Sequence, residues 1–378
     1  MHGDPQNRRL PLPLPRLAVH SVGQRPERPG AGGARSADAH AAILRDAAHH
    51  AAGSLTCPPP LGRATTPGRV EDATRAHHRL DRLPARRRFD EVECTISHLL
   101  RLPHPALGGR RYGEALLQGI GSRGIGPGQR GVLEIGGGAG HLAEAAWRGD
   151  AGPFTQSRWT SLDLSPALLR AQRRRLLEPS QPGGAHRRWQ GLRADAVALP
   201  LRTRSFDGLI LANEMMADLP AERGRNAGAI ELVLEIARVL SSGGAAVLSE
   251  FGGDFDPAPI RLLAAFGQGE HLEWSIDFRQ LRDAAEGAGL AVEQLPLHEL
   301  LGADLSVRCA SYTDLWRLRR FTSCEVFAAP AEEVRRRHPL LSRLLSLELP
   351  LLGSPHWPDA TASGGFAQLF RALILRRR

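Results

Sequence analysis

The chain has no lysine: all 49 of its basic residues, in a length of 378, are arginine. A phosphate group accepts lysine as readily as arginine as a point charge, so this absence reflects compositional bias rather than a binding strategy. The formal charge of +9 is also unevenly spread. Residues 1–90 hold 15 arginines against 8 acidic residues, and the remainder is nearly neutral. A nucleic-acid partner is therefore not expected, because the basic excess is not on the part that would fold. Cysteine is scarce, with Cys57, Cys94, Cys309 and Cys324 far apart and no C-x-x-C pair. That spacing supports neither a zinc site nor a disulfide framework, and a reducing cytoplasm is the simplest compartment. No run of 18 apolar residues is present, so no membrane-spanning helix is expected. A signal-peptide core is lacking too, since Leu10–Val19 is broken by Pro11, Pro13, Pro15 and Arg16. An arginine-rich, acid-poor leader leaves an organellar transit peptide as the alternative.

Residues 1–69 are rich in Pro, Gly, Ala and Arg without a sustained period, and they read as a disordered leader. A helical cap is expected over 70–130. Phe89, Val92, Ile96 and Leu99 or Leu100 share one face there, and a second helix over 111–120 turns Tyr112, Ala115, Leu116 and Ile120 inward. From Val132 strands and helices alternate. Strands are predicted at 132–135, 159–164, 192–194, 206–212, 245–251 and 290–295, and helices at 140–148, 166–176, 229–240 and 277–289. A loop is expected after residue 252. Such alternation with short turns gives a mostly parallel sheet covered on both faces, a core over 131–298. Residues 299–378 then read as a helical insertion (312–321 and 332–347, broken at Pro339) plus a closing strand near 366–375.

The most informative segment is Val132-Leu-Glu-Ile-Gly-Gly-Gly-Ala-Gly140. An apolar strand carrying Glu134 runs into a glycine turn (Gly136, Gly138, Gly140) and then a helix. Glycines at alternate positions let a ligand lie against the backbone and the helix N-terminus. Two readings compete. Shifted by two residues, Gly138-Ala-Gly140-His-Leu-Ala143 fits a dinucleotide-binding fingerprint with Asp163 20 residues beyond, the mark of an NAD(P)-dependent oxidoreductase. Against it, Glu134 would repel a pyrophosphate, whereas a carboxylate there suits a cationic ligand group.

Ligands of open α/β sheets bind at the carboxyl ends of the strands. Acids stand at four of those ends: Glu134 in the first, Asp163 after the second, Asp195 after the third, and Asn213 with Glu214 after the fourth. The two oxygens of Asp163 can accept from both hydroxyls of a ribose, and Asp195 from an adenine amino group. Glu214 is the candidate to orient a second substrate. His141 reads as a pocket wall and Met215 and Met216 as apolar packing, while His271, Asp277 and Tyr312 are further residues that could reach that substrate.

The Glu-x-Gly-x-Gly-x-Gly spacing of Glu134, Gly136, Gly138 and Gly140 resembles the nucleotide-binding turn of class I S-adenosylmethionine (SAM) methyltransferases. Ala198-Leu-Pro, Ser205-Phe-Asp and Ala237-Arg-Val-Leu-Ser-Ser-Gly-Gly244 are similar to that family as well, over about 132–297. The resemblance implies a Rossmann-like doubly wound α/β sheet, mostly parallel with an antiparallel last strand, and SAM as cofactor. It assigns Glu134, Gly136, Gly138, Gly140, Asp163, Asp195 and Asn213 to the cofactor and Glu214 to catalysis, with no metal. A narrower likeness lies at Ala212-Asn-Glu-Met-Met-Ala-Asp-Leu-Pro220, with His271-Leu-Glu-Trp-Ser-Ile-Asp-Phe278 and the closing Phe366-Ala-Gln-Leu-Phe-Arg-Ala-Leu-Ile-Leu375. These resemble the MidA-like family, which includes complex I assembly methyltransferases acting on arginine. Where that family has an aspartate three residues after its glutamate, this chain has Ala217, with Asp218 one place later. The methyl acceptor implied is a protein side chain or a small molecule. A SAM-binding module without turnover is the remaining alternative.

Overall fold

The computed structural model describes residues 97–148, 151–177, 188–222, 224–257, 259–263, 270–310, 330–337, 339, 348–350 and 370–377. The chain divides into two units, Met1–Gly62 and Arg63–Arg378, and all described residues lie in the second. The proposed leader and most of the helical pattern expected over 70–101 fall outside the described residues, as do the helix expected at 312–321 and most of the one at 332–347.

Short apolar runs make the strands of the main sheet: β1 (Val132–Ile135), β2 (Trp159–Asp163), β3 (Trp189–Arg193), β4 (Leu209–Asn213) and β5 (Ala245–Gly253). β1, β4 and β5 are almost wholly buried, as strands of a sheet covered on both faces must be. β3 is an edge strand, half-buried to exposed, with Gln190 and Arg193 among its five residues. That explains why apolar periodicity marks only its last residues.

Beyond β5 the chain forms a two-stranded ribbon, β6 (Pro259–Leu263) antiparallel to β7 (Glu270–Trp274), where the sequence suggests a loop. β7 packs against the turn at Met216–Asp218. β8 (Ile276–Asp277) then pairs with the end of β5, and β9 (Leu290–Pro296) forms the far edge of the sheet. A small pair, β10 (Arg308–Ala310) with β11 (Glu348–Pro350), lies within the segment read as a helical insertion. Finally β12 (Phe370–Arg377) inserts between β5 and β9, antiparallel to both. The order is β3-β2-β1-β4-β5-β12-β9, parallel throughout apart from β12. This is the Rossmann-like arrangement expected, antiparallel last strand included.

Helices cover both faces. α1 (Ser97–Arg101), α2 (Tyr112–Ser122) and α3 (His141–Arg148) lie on one side, with Trp159 and Phe154 in their core. Tyr112, Ala115, Leu116 and Ile120 of α2 are all fully buried, as their spacing requires. Glu114, in the first turn of α2, accepts from the Arg111 amide at 2.9 Å and so satisfies an N-terminal donor. α4 (Pro166–Leu177) packs on β2 and β3. The opposite face is buried under α5 (Ala227–Val239) and α6 (Phe278–Gly287). A short helix, α7 (Leu297–Leu301), joins the first core and straddles residue 298, and α8 (Ala331–Arg337) is the described part of the second insertion helix.

Candidate active site

The carboxyl ends of β1, β2, β4 and β5 meet around the glycine turn. Gly136, Gly138 and Gly140 all take positive φ (69°, 51° and 86°), a conformation that costs side-chain-bearing residues about 1 kcal/mol or more. The turn is also too close to its neighbours for a Cβ. One placed on Gly137 would lie 2.8 Å from the Glu134 carboxyl carbon, and one on Gly136 would lie 2.9 Å from Met215 Cβ. The backbone thus lies directly over Glu134 and against the turn that follows β4. From α4, Gln172 Nε2 donates to the Gly138 carbonyl at 2.9 Å, and Gln172 is completely buried. Its only trace in the sequence is one amide in a leucine- and arginine-rich helix.

Glu134 is 2% exposed and held directly by Trp159 and, through Ser161, by Trp189. Trp159 Nε1 donates to its Oε2 at 2.7 Å. The Ser161 hydroxyl also bonds the carboxylate, and itself accepts from Trp189 Nε1 at 3.0 Å. Burial is the dominant influence and pushes the Glu134 pKa up to about 8. The charge on Asp163 pushes it the same way, while the Trp159 and Ser161 bonds oppose both. A buried carboxyl poised in this way becomes a strong anion only when a cation sits beside it.

Asp163 ends β2, nearly buried, and its Oδ1 accepts from the Ser165 amide at 2.8 Å. Ser165 Oγ in turn accepts from Leu168 in the first turn of α4. Asp195 follows β3, half-buried, with Oδ1 accepting from Val197 at 3.2 Å. Both carboxylates are held in short Asx turns at strand ends.

At the end of β4, Asn213 Oδ1 accepts from Tyr112 Oη at 2.5 Å and from Ser249 Oγ at 2.7 Å. Glu214 follows with φ +52°, one of two non-glycine residues with positive φ among those described. Its amide donates to the Ser249 carbonyl at 2.9 Å. Behind it, the buried Glu250 accepts from the Ala217 amide at 3.2 Å, so the position where the MidA-like pattern has aspartate contributes a backbone donor here. Met216 is buried in the core and Met215 packs against it and under Gly136.

The other residues noted in the sequence separate. His141 is buried with Nδ1 3.4 Å from Arg175 Nη1 and 3.8 Å from Glu144 Oε2, part of an ionic cluster at the start of α3. Asp277 has a structural role at the start of α6. It caps α6 through the Arg279 amide and binds the Arg279 guanidinium and Gln280. Its carboxylate is therefore fully used in holding α6. The side chain of His271 and all of Tyr312 lie outside the described residues.

Residues 132–244 match the family profile described as "Methyltransferase domain". No curated protein is significantly similar to the chain. Among solved structures, the chain is similar to the [4+2]-cyclase SpnF (16% identity, 70% of this chain and 80% of that one, TM-score 0.38). It is similar to the glycopeptide N-methyltransferase MtfA complexed with SAM (14% identity, 70% and 94%, TM-score 0.37). A third is the Haemonchus contortus N-methyltransferase 2 in complex with phosphomonomethylethanolamine and S-adenosylhomocysteine (16% identity, 75% and 56%, TM-score 0.40). The residues on the strand ends fit SAM, with a Cβ-free turn and buried acids for its cationic and hydroxyl groups. The matched profile and the sheet order agree: residues 132–244 match a methyltransferase domain, and they lie within a Rossmann-like sheet.

Proposed function

We propose that the chain methylates a protein side chain with a basic nitrogen, arginine being the reading favoured by the MidA-like motifs, and that Glu214 orients this acceptor. The observation that carries the reading is the backbone of Glu214. Holding a non-glycine residue at φ +52° costs on the order of 1 kcal/mol, and such strain concentrates where a side chain must be aimed. The Ser249 carbonyl fixes the Glu214 amide, and the Glu250–Ala217 bond fixes the next turn.

In this reading Glu134 faces the ammonium of the methionine portion, Asp163 the ribose hydroxyls and Asp195 the adenine amino group. Gly136, Gly138 and Gly140 leave room for the cofactor backbone, and Asn213 binds beside them. SAM supplies a methyl group already activated by its sulfonium, so alignment accounts for most of the acceleration. Glu214 pairs with the acceptor's cationic group, steers its nitrogen toward the methyl, and takes up the proton that nitrogen sheds. The β6–β7 ribbon, packed on the turn after Glu214, borders the acceptor side. Residues 131–298 form the cofactor core in this division, with 70–130 as cap and 299–378 as the specificity-bearing insertion plus the closing strand that completes the sheet. Among the described residues no helix is long and apolar enough to cross a membrane, and the scattered cysteines suit the cytoplasm.

Glu214→Gln tests this. The variant is expected to bind SAM as tightly as wild type and melt at the same temperature. Its turnover on an arginine-bearing protein substrate should fall by about 100-fold or more. Turnover at the wild-type rate, or losses that track a lower melting temperature, would remove Glu214 from the mechanism. Methylation confined to small-molecule acceptors would remove the protein substrate.

A further inference from the structure

Asn213 is held from two remote parts of the chain. Tyr112 opens α2, 101 residues earlier, and its hydroxyl, completely buried, donates to Asn213 Oδ1 at 2.5 Å. Ser249, Asn213's register partner on β5, donates to the same oxygen at 2.7 Å. Oδ1 is thus the atom that both hydroxyls bind, and this fixes the orientation of the side-chain amide. A carbonyl oxygen has two lone-pair sites, and both are taken. The Nδ2 group, with its two hydrogens, is therefore left to face elsewhere. Among the described residues nothing accepts from it, and Asn213 is only half-buried.

The neighbours of that amide define what it can meet. Asn213 follows Ala212, the partner of Ile135 in β1, so it stands level with the start of the glycine turn. Asp163 and Glu214 stand at the same edge and repel an anion, and Glu134 does so once a cation beside it favours its ionised form. The methionine portion of SAM carries an ammonium, which these acids suit, and a carboxylate, which they do not. We propose that Tyr112 and Ser249 are positioning residues that lock Asn213 as a donor-only group, and that its Nδ2 hydrogens bind the methionine carboxylate of SAM. This rests on the assignment of SAM to the site and adds the group that reads its carboxylate.

The test compares S-adenosylhomocysteine with 5′-methylthioadenosine, which lacks the amino-acid end, by calorimetric titration of the whole chain. Asn213→Asp turns the donor into a carboxylate. It is expected to weaken S-adenosylhomocysteine about 100-fold and leave methylthioadenosine unchanged. Tyr112→Phe and Ser249→Ala free the amide to rotate and should weaken S-adenosylhomocysteine about 5- to 10-fold, again sparing methylthioadenosine, with Ser249→Thr restoring affinity. Equal losses for both ligands, or none for either, would overturn the inference. If wild type binds neither ligand, the SAM assignment itself fails, an outcome distinct from a binding-competent protein that ignores these substitutions.

Discussion

Along the carboxyl edge of the sheet, the β1–β2 half and the β4–β5 half are assembled differently. Around β1 and β2 the ligand-facing groups come from short stretches, Glu134 and the glycine turn from nine consecutive residues and Asp163 from its own Asx turn, with Trp159 and Gln172 bracing them from 25 and 34 residues away. Around β4 and β5 the bonds are long-range. Tyr112 reaches Asn213 across 101 residues, Ser249 reaches it across 36, and Glu250 reaches Ala217 across 33. The first half has a carboxyl held in protonated balance by burial; the second has a backbone held in strain. The β1–β2 half thus presents its groups from adjacent residues, while in the β4–β5 half even the first bond to Asn213 comes from a helix 101 residues away.

The comparison is sharpened most by Glu134→Gln. The Glu134 pKa is raised from 4.5 to about 8 in the folded protein, so the folded state keeps its proton while the unfolded state loses it. Stability from this group is fully present below about pH 4.5 and is lost as pH rises toward about 8. The neutral glutamine escapes that loss. Without cofactor the variant should match wild type near pH 4.5 and exceed it near pH 8 by on the order of 3 kcal/mol, read from denaturant unfolding at each pH. A stability difference that does not grow with pH would show that Glu134 is ionised in the free protein. SAM affinity should move the other way, weakening because the ammonium loses its anion.

A smaller effect is expected at Asp163. Asp163→Ala removes a charged acceptor from two ribose hydroxyls and should weaken SAM by about 2 kcal/mol, roughly 30-fold, in a calorimetric titration. Its effect should add to that of Asn213→Asp, since in the proposed binding mode the two face different groups of the cofactor, the ribose and the methionine carboxylate. Strong non-additivity would mean that the two halves of the edge are one coupled unit, and the contrast drawn between them would break.

The same contrast governs what could be read from the sequence. The 132–140 turn, the acids after β2 and β3, and the closing strand are signalled by residues adjacent in the chain, and the structure places them at the expected strand ends or, for β12, in the sheet. The long hydrophobic Ala-Leu-Ile-Leu of β12 is legible because a strand buried on both faces has no polar alternation. Tyr112 was visible only as a core residue, since nothing in its helix announces a hydroxyl partner on β4. Gln172, Ser249 and Glu250 left no signal either, because a polar residue in a buried strand or helix gives no local sign of the partner it will meet. The ribbon β6–β7 was missed for a related reason: its pairing partners, not its periodicity, make it a strand pair. Asp277 is a helix cap in the structure, a role that its position directly before Phe278 signals in the sequence.

The most direct test of the central claim is a pair of calorimetric titrations of the wild-type chain, one with SAM and one with NADH. Saturable binding of SAM with no heat from NADH is the predicted result, with Glu134→Gln and Asp163→Ala each reducing the SAM signal. Tight NADH binding, with SAM silent, would mean that Gly138-Ala-Gly140 cradles a pyrophosphate and would contradict the account.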